Sequence, residues 1–230
     1  MAMLEVAGLH AHYGRAHILQ GVSFAVGEGE VVALLGRNGA GKSTTMKAVM
    51  GLVPPSAGSV RFAGREVAGR EPFEVARLGL GYVPEERRIF TELTVRENLE
   101  TGRRGTGWTP AKVAELFPSL GAMMDRPGGR MSGGEQQMLT IGRTLMGNPR
   151  LILLDEPSEG LAPVIIERMA AAIARLKRDG LSILLSEQNL HFARLVSDRA
   201  LVLEKGAIRW EGTMEGLMAD EAARAAYLSV

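Results

Sequence analysis

The sequence predicts an α/β fold built around a parallel β-sheet. Three observations predict it. Short apolar runs, bounded by glycine or charge, alternate with longer helical patterns. Two of those runs, Leu151–Leu154 and Leu181–Ser186, flank an amphipathic stretch at about Val164–Arg178, and strand–helix–strand in that order implies parallel neighbours. A third run, Gly29–Gly36 (GEVVALLG), leads straight into a glycine-rich loop and a second helical stretch.

Each element follows from local pattern. Val31–Gly36 is continuously apolar rather than alternating, as a strand covered on both faces must be. Ser43–Gly51 places Met46, Val49 and Met50 on one helical face before Pro54-Pro55 stops it. Val60–Phe62 and Gly79–Val83 read as further short strands. From Glu85 to about Gly147 the pattern changes to two arginine pairs, the loop GRRGTGWTP, and helical segments near Thr94–Glu100 and Pro110–Leu116. Leu201–Glu204 and Ala207–Trp210, separated by Lys205-Gly206, form a closing hairpin, and a helix over Thr213–Leu228 ends the chain. There are no repeats and no low-complexity linker. The organisation predicted is one domain over 1–230, with a core from 1–84 and 148–230 and a largely helical insertion over 85–147.

Composition removes whole classes of function. With 46% apolar residues and a net charge of +1 from 27 Lys+Arg against 26 Asp+Glu, the chain is globular and lacks the basic excess of a general nucleic-acid binder. Without cysteine it has neither a disulfide nor a thiolate metal site. No apolar run approaches the roughly 20 residues of a membrane span. The start, MAMLEVAGLHAHYGR, carries Glu5 and no basic region ahead of an apolar one, so it does not read as an export signal. A soluble, cytoplasmic protein is expected. The 29 glycines, nearly twice the usual share of about 7%, ask for a reason.

Part of that reason is Gly36–Thr44, GRNGAGKST, which fits G-x-x-x-x-G-K-[ST] between a strand and a helix. Backbone N–H groups that curl around phosphate oxygens need residues without a Cβ, hence Gly36, Gly39 and Gly41. Asn38, Ala40 and Thr44 complete the loop. The helix beginning near Lys42 aims its positive end at the anion, Lys42 reaches the terminal phosphates, and the Ser43 hydroxyl can ligate Mg²⁺. A nucleoside triphosphate site is the expectation. The run LILLDE then ends a buried strand in two carboxylates: Asp155 suited to Mg²⁺ through water, Glu156 to orienting or deprotonating the attacking water.

Met131–Gln137, MSGGEQQ, resembles the LSGGQ signature of ABC ATPases, with Met131 in place of Leu and Glu135 at the Gln position. Ser132, Gly133 and Gly134 present a hydroxyl and backbone N–H groups ahead of a helix at Glu135–Met146, a second anion site. The resemblance covers essentially the whole chain. It implies a RecA-like parallel core, an N-terminal antiparallel β part and a helical subdomain. It also implies ATP as substrate with Mg²⁺, and a head-to-tail dimer in which each signature covers the partner's ATP. On the same basis Tyr13 matches the aromatic that stacks on adenine, Glu85 stands at the Q-loop glutamine, Gln188 in SEQN at the switch histidine, and Ala162 where many members carry an aspartate. Ionised Glu85 still offers oxygens to Mg²⁺ or water but no amide donor, and Gln188 donates a neutral hydrogen bond where histidine could become a cation.

The strings VPEERRIF, LTVRENL, MSGGEQQMLTIGRTLMGNPRLILLDEPSEGLAP and SEQN resemble the ATPases of branched-chain amino-acid ABC importers, and among them the second of the two. That implies a peripheral subunit at the cytoplasmic face of the membrane, bound to integral-membrane permeases. It would pair with a sister ATPase or a second copy, and be served indirectly by an extracellular or periplasmic solute-binding protein. Urea and amide importers use similar subunits, and ABC ATPases without a permease remain an alternative.

Weaker features read as structural. His10, His12 and His17 suggest a solvated strand edge, since no carboxylate or cysteine completes a metal set. Arg87-Arg88 and Arg103-Arg104 read as solvated or docking-surface charges. Met138 and Met146 fill core. Glu86–Asn98, with Phe90, falls where the resemblance places the groove for the permease's coupling helix; burial and exposure of Phe90 are both compatible with the sequence.

Overall fold

The computed structural model describes residues 2–228. Two long strands open it, β1 (Ala2–Tyr13) and β2 (Ala16–Gly27), paired antiparallel down to Tyr13 opposite Ala16. β3 (Val31–Leu35), wholly buried, runs into the glycine-rich loop and α1 (Lys42–Val49). β4 (Ala57–Phe62) returns to β1, and β5 (Arg65–Glu66) completes a four-stranded antiparallel sheet in the order β2-β1-β4-β5. α2 (Pro72–Arg77) leads to β6 (Leu80–Val83).

Only helices follow until the next strand: α3 (Val95–Thr101), α4 (Pro110–Leu116), α5 (Pro118–Gly121), a 3₁₀ turn and α6 (Gly133–Leu145). Their starts are written in the sequence. Thr94 and Ser132 each form a reciprocal capping box with a glutamate three residues on, and Thr109 caps α4 with Pro110 in its first turn. The chain then re-enters the core through β7 (Leu151–Asp155), α7 (Pro163–Arg178), β8 (Ser182–Glu187), α8 (Leu190–Val196), β9 (Arg199–Glu204), β10 (Ala207–Thr213), α9 (Met214–Ala219) and α10 (Glu221–Tyr227).

The central sheet has the order β10-β9-β3-β8-β7-β6, parallel from β9 to β6, with β10 antiparallel at one edge. Both faces are covered, which is why its strands read as unbroken apolar runs. Val31, Ala33 and Leu35 face the helical layer, together with Ile152, Leu154, Ile183 and Leu185. Val32 and Leu34 face the opposite way, with Leu151, Leu153 and Leu184, onto α1 and the antiparallel sheet. Each valine, leucine or isoleucine among them contributes about 1.5–3 kcal/mol of transfer free energy.

Val60–Phe62 forms a strand as expected, and its pairing with β1 places it in the antiparallel sheet. The single helix expected over Thr213–Leu228 is two. Asp220 leaves helical geometry, accepts the Ala223 N–H at 2.8 Å as the cap of α10, and takes the Trp210 indole N–H at 3.2 Å. Helices α2, α5 and α8, each short, carry too little periodicity to have been read. Met138 and Met146 are buried, and Phe90 is 51% exposed.

The hairpin turn between β9 and β10 braces the glycine-rich loop. The Gly206 N–H donates to the Ala40 carbonyl at 2.9 Å, and its own carbonyl accepts the Gln20 N–H at 2.7 Å. Gly206 has φ +77, and a Cβ there would overlap the Ile18 carbonyl. We expect Gly206→Ala to cost about 3 kcal/mol or more in chemical denaturation. Gly64→Ala, with φ +76 and nothing within 4 Å, should cost only the backbone strain, about 1–2 kcal/mol.

Candidate functional site

The parallel register carries the ends of β3, β8 and β7 to one edge: Leu35 pairs with Glu187, and Asp155 with Ser186. Ligands of open parallel sheets bind at such carboxyl ends. Here the loop 36–41 leaves β3 and enters α1 at Lys42. Gly41, the N-cap residue, has φ +109, and a Cβ on it would press Leu19 Cδ2 at 3.0 Å. With no side-chain cap and no acidic residue in its first turn, α1 keeps its N-terminal N–H groups for an anion. Arg37, Asn38 and Gly39 are exposed at the loop's tip, whereas Gly36, Ala40 and Gly41 are buried.

Lys42 is almost completely buried and has three oxygen neighbours. Its Nζ lies 3.0 Å from Glu156 Oε1, 2.8 Å from the Gly36 carbonyl and 3.3 Å from that of Arg37. Glu156 Oε2 accepts the Gln188 side-chain amide at 3.0 Å, and the same amide reaches Asn38 Oδ1 at 2.5 Å. Lys42, Glu156, Gln188 and Asn38, spread over more than a hundred residues of sequence, thus form one contact chain. Glu156 sits in the left-handed region at φ +46, unusual for a residue with a side chain.

Asp155 is the second hub. Its Oδ1 accepts the Ser43 hydroxyl at 2.9 Å and the Ser186 hydroxyl at 2.7 Å, and its Oδ2 accepts the Tyr82 hydroxyl at 3.1 Å. Burial, with the Asp155 charge second, pushes the Tyr82 phenol far above its usual range, so Tyr82 stays a donor. Ser43 and Asp155 are hard oxygen donors beside the phosphate-facing helix end, and they fit Mg²⁺, which takes few protein ligands and completes its shell from phosphate and water. No cluster of three or more His, Asp or Glu able to hold a metal occurs among the described residues, the three neighbouring histidines included. Their rings instead stack on one another, His10 and His17 sharing a hydrogen bond of 3.0 Å.

Other sequence-selected residues lie apart from this centre. Glu85 is exposed, and Glu159 stands between it and the centre. Partial desolvation, then the charges of Glu156 and Glu85, raise the Glu159 pKa above its usual value. Tyr13 is 49% exposed at the tip of the β1–β2 hairpin, on the other sheet. Ser132, Gly133 and Gly134 open α6, and among the described residues no hydrogen bond or ion pair links them to the glycine-rich loop. Glu135 closes the capping box there, accepting the Ser132 N–H at 2.7 Å. Arg87, read as a solvated or docking-surface charge, is half-buried with its guanidinium beside Gly133. Ala162 is the N-cap of α7 and offers no side-chain cap.

Sequence reasoning gave no role to Tyr82, Glu159, Ser186 or Glu187, although each lies inside a string quoted for other residues. Glu187, at the end of β8, is 2% exposed. Its carboxylate accepts backbone N–H groups from Ser158 at 3.0 Å and from Gln188 and Asn189 at 3.2 Å each. Burial outweighs these donors and raises its pKa from 4.5 to about 7.

Comparison with known proteins agrees with this geometry. Residues 19–159 match the family model described as ABC transporter. The chain is 44% identical to the high-affinity branched-chain amino acid transport ATP-binding protein BraG of Pseudomonas aeruginosa, over 98% of this chain and 99% of that one. It is 35% identical to the probable branched-chain amino acid transport ATP-binding protein LivF of Archaeoglobus fulgidus, over 95% of both. It is also 35% identical to the lipopolysaccharide export system ATP-binding protein LptB of Haemophilus influenzae, over 99% of this chain and 98% of that one. Among solved structures, a nucleotide-free ATP-binding cassette from an ABC transporter superposes with a TM-score of 0.85 at 28% identity, over 96% of this chain and 97% of that one.

The raised pKa of Glu187 has a measurable sign. The folded chain keeps this proton at pH values where the unfolded chain has lost it. The stability it contributes is therefore full below about pH 4.5 and is lost as pH rises through about 7. Thermal midpoints should fall between pH 5 and pH 8, and the fall should be smaller by on the order of 5 °C in Glu187→Gln.

Proposed function

The chain belongs to the ABC transporter family of ATP-binding domains and is an ATPase; from that premise we propose that it powers the import of branched-chain or other amino acids through a membrane permease. The observation that carries the hydrolytic part is the meeting of Lys42, Ser43, Asp155 and Glu156 at one sheet edge. The 44% identity to a branched-chain amino acid transport protein, over nearly the full length of both chains, supports the solute class. The relative named for lipopolysaccharide export is less similar.

In this reading Gly36, Asn38, Gly39, Ala40, Gly41 and Thr44 wrap the ATP phosphates with backbone N–H groups, and Tyr13 stacks on adenine. Lys42 neutralises the terminal phosphates, which requires its Nζ to exchange the Glu156 carboxylate and the Gly36 carbonyl for phosphate oxygens. That exchange frees Glu156 to accept a proton from the attacking water, while Gln188 donates its amide toward the γ-phosphate. Ser43 and Asp155, with Glu85 as a further oxygen donor, would hold Mg²⁺, which would supply charge neutralisation on the phosphates.

Ser132, Gly133 and Gly134, at the start of α6, meet the ATP of a second ATPase, a copy or a sister chain. No helix among the described residues is long and apolar enough to cross a membrane. Attachment to a permease at the cytoplasmic face is then through a surface groove lined by Leu52, Ala76, Tyr82, Phe90, Arg104 and Arg143, beside the segment expected to receive the coupling helix. Phe90 stands half exposed there, with the Arg143 guanidinium 5.1 Å above its ring. A solute-binding protein would act on the permease, not on this chain.

Glu156→Gln should bind ATP, hydrolyse it at least about 100-fold more slowly, and elute as a dimer in ATP on gel filtration; wild-type turnover would remove Glu156 from the role of base. For the solute, deleting the gene should abolish uptake of radiolabelled leucine, isoleucine and valine by whole cells. Unchanged uptake of all three would overturn the amino-acid reading.

A further inference from the structure

One buried carboxylate at the catalytic edge has no part in the chemistry above. Both Glu187 oxygens are engaged by backbone N–H groups, and the donors come from two separate segments. Oε1 takes Ser158, in the turn that carries Glu156; Oε2 takes Gln188 and Asn189, in the loop that carries the Gln188 amide. The adjacent residue, Ser186, does the same for Glu156 itself, its hydroxyl and carbonyl accepting the Glu156 N–H at 3.1 and 3.2 Å. Glu156 holds a left-handed conformation that costs on the order of 1–3 kcal/mol and persists only where the surroundings over-determine it. Two consecutive side chains of β8 provide that determination.

We infer that Glu187 is a positioning residue for hydrolysis: its carboxylate ties the Glu156–Ser158 turn to the Gln188–Asn189 loop and so fixes the contact between Glu156 and Gln188. The inference rests on the reading of Glu156 as the group that activates water. A carboxylate is required because three N–H donors on two sides need two acceptor oxygens, and an amide has one. An apolar residue would leave three buried donors unsatisfied. The fold retains this group although burial raises its pKa to about 7, a cost in stability of the kind found where function sets the residue.

The test is steady-state ATPase kinetics of Glu187→Gln, alone and combined with Glu156→Gln, with single-turnover assays for the slow variants. Glu187→Gln turns an NH₂ toward an N–H on one side of the bridge. We expect kcat to fall about 10- to 100-fold, with KM for ATP within about twofold of wild type. In the Glu156→Gln background the same change should have no further effect. An unchanged kcat, a parallel loss in KM, or an undiminished effect in the Glu156→Gln background would overturn the inference. Wild-type turnover of Glu156→Gln overturns the reading of Glu156 and this inference with it, whereas a slow Glu156→Gln beside an unimpaired Glu187→Gln overturns the inference alone. Should Glu187→Gln not fold, Glu187→Asp is measured instead. It keeps both oxygens on a shorter arm, so kcat should fall with KM intact, and a wild-type kcat sinks the proposal.

Discussion

Three parallel strands that stop level with one another are the constraint on which the rest depends. β3, β8 and β7 share a register that places Leu35, Glu187 and Asp155 within one residue of the same edge. Parallel strands cannot be joined by tight turns, so each of these three exits as a loop leading to a helix. The glycine-rich loop, the turn after Asp155 and the loop after Glu187 are three such exits. Residues more than a hundred positions apart thereby become neighbours without any long excursion of chain.

That edge concentrates charge where water is scarce. The Lys42–Glu156 pair is over 90% buried on both sides, and a pair so placed loses hydration that its mutual attraction only partly returns. Around it Asp155, Tyr82, Ser43, Ser186 and Glu187 form hydrogen bonds that leave few acceptors unmatched. The apolar faces of the sheet, each packed against its own layer, carry the stability that this polar edge gives up. In the proposed reading, that arrangement holds Lys42 in reserve until phosphate replaces the carboxylate.

The parallel core was legible because burial on both faces removes alternation: VVALL, LILL and SILL can hardly be anything else at their length. The glycine-rich loop was legible because its chemistry restricts residue type at fixed spacing. What stayed hidden depended on three dimensions. Val60–Phe62 looks the same in either sheet, and only pairing with β1 assigns it. Asp220 breaks a helix that its neighbours favour, because an indole N–H ten residues back competes for it. Glu187 and Tyr82 stood in quoted strings, yet nothing in one dimension shows which loops a carboxylate bridges or which carboxylate a phenol meets. Glu135 was visible as a departure, but its capping bond to Ser132 was not.

The first turns of α6 and α7 approach so closely that a methyl group on Gly134 would lie 2.8 Å from Ile165 Cγ2. Ile165 follows the turn that begins at Glu156, and Gly134 opens the signature helix. Only a residue without a Cβ lets the start of that helix lie so close beside the segment leaving the hydrolytic edge.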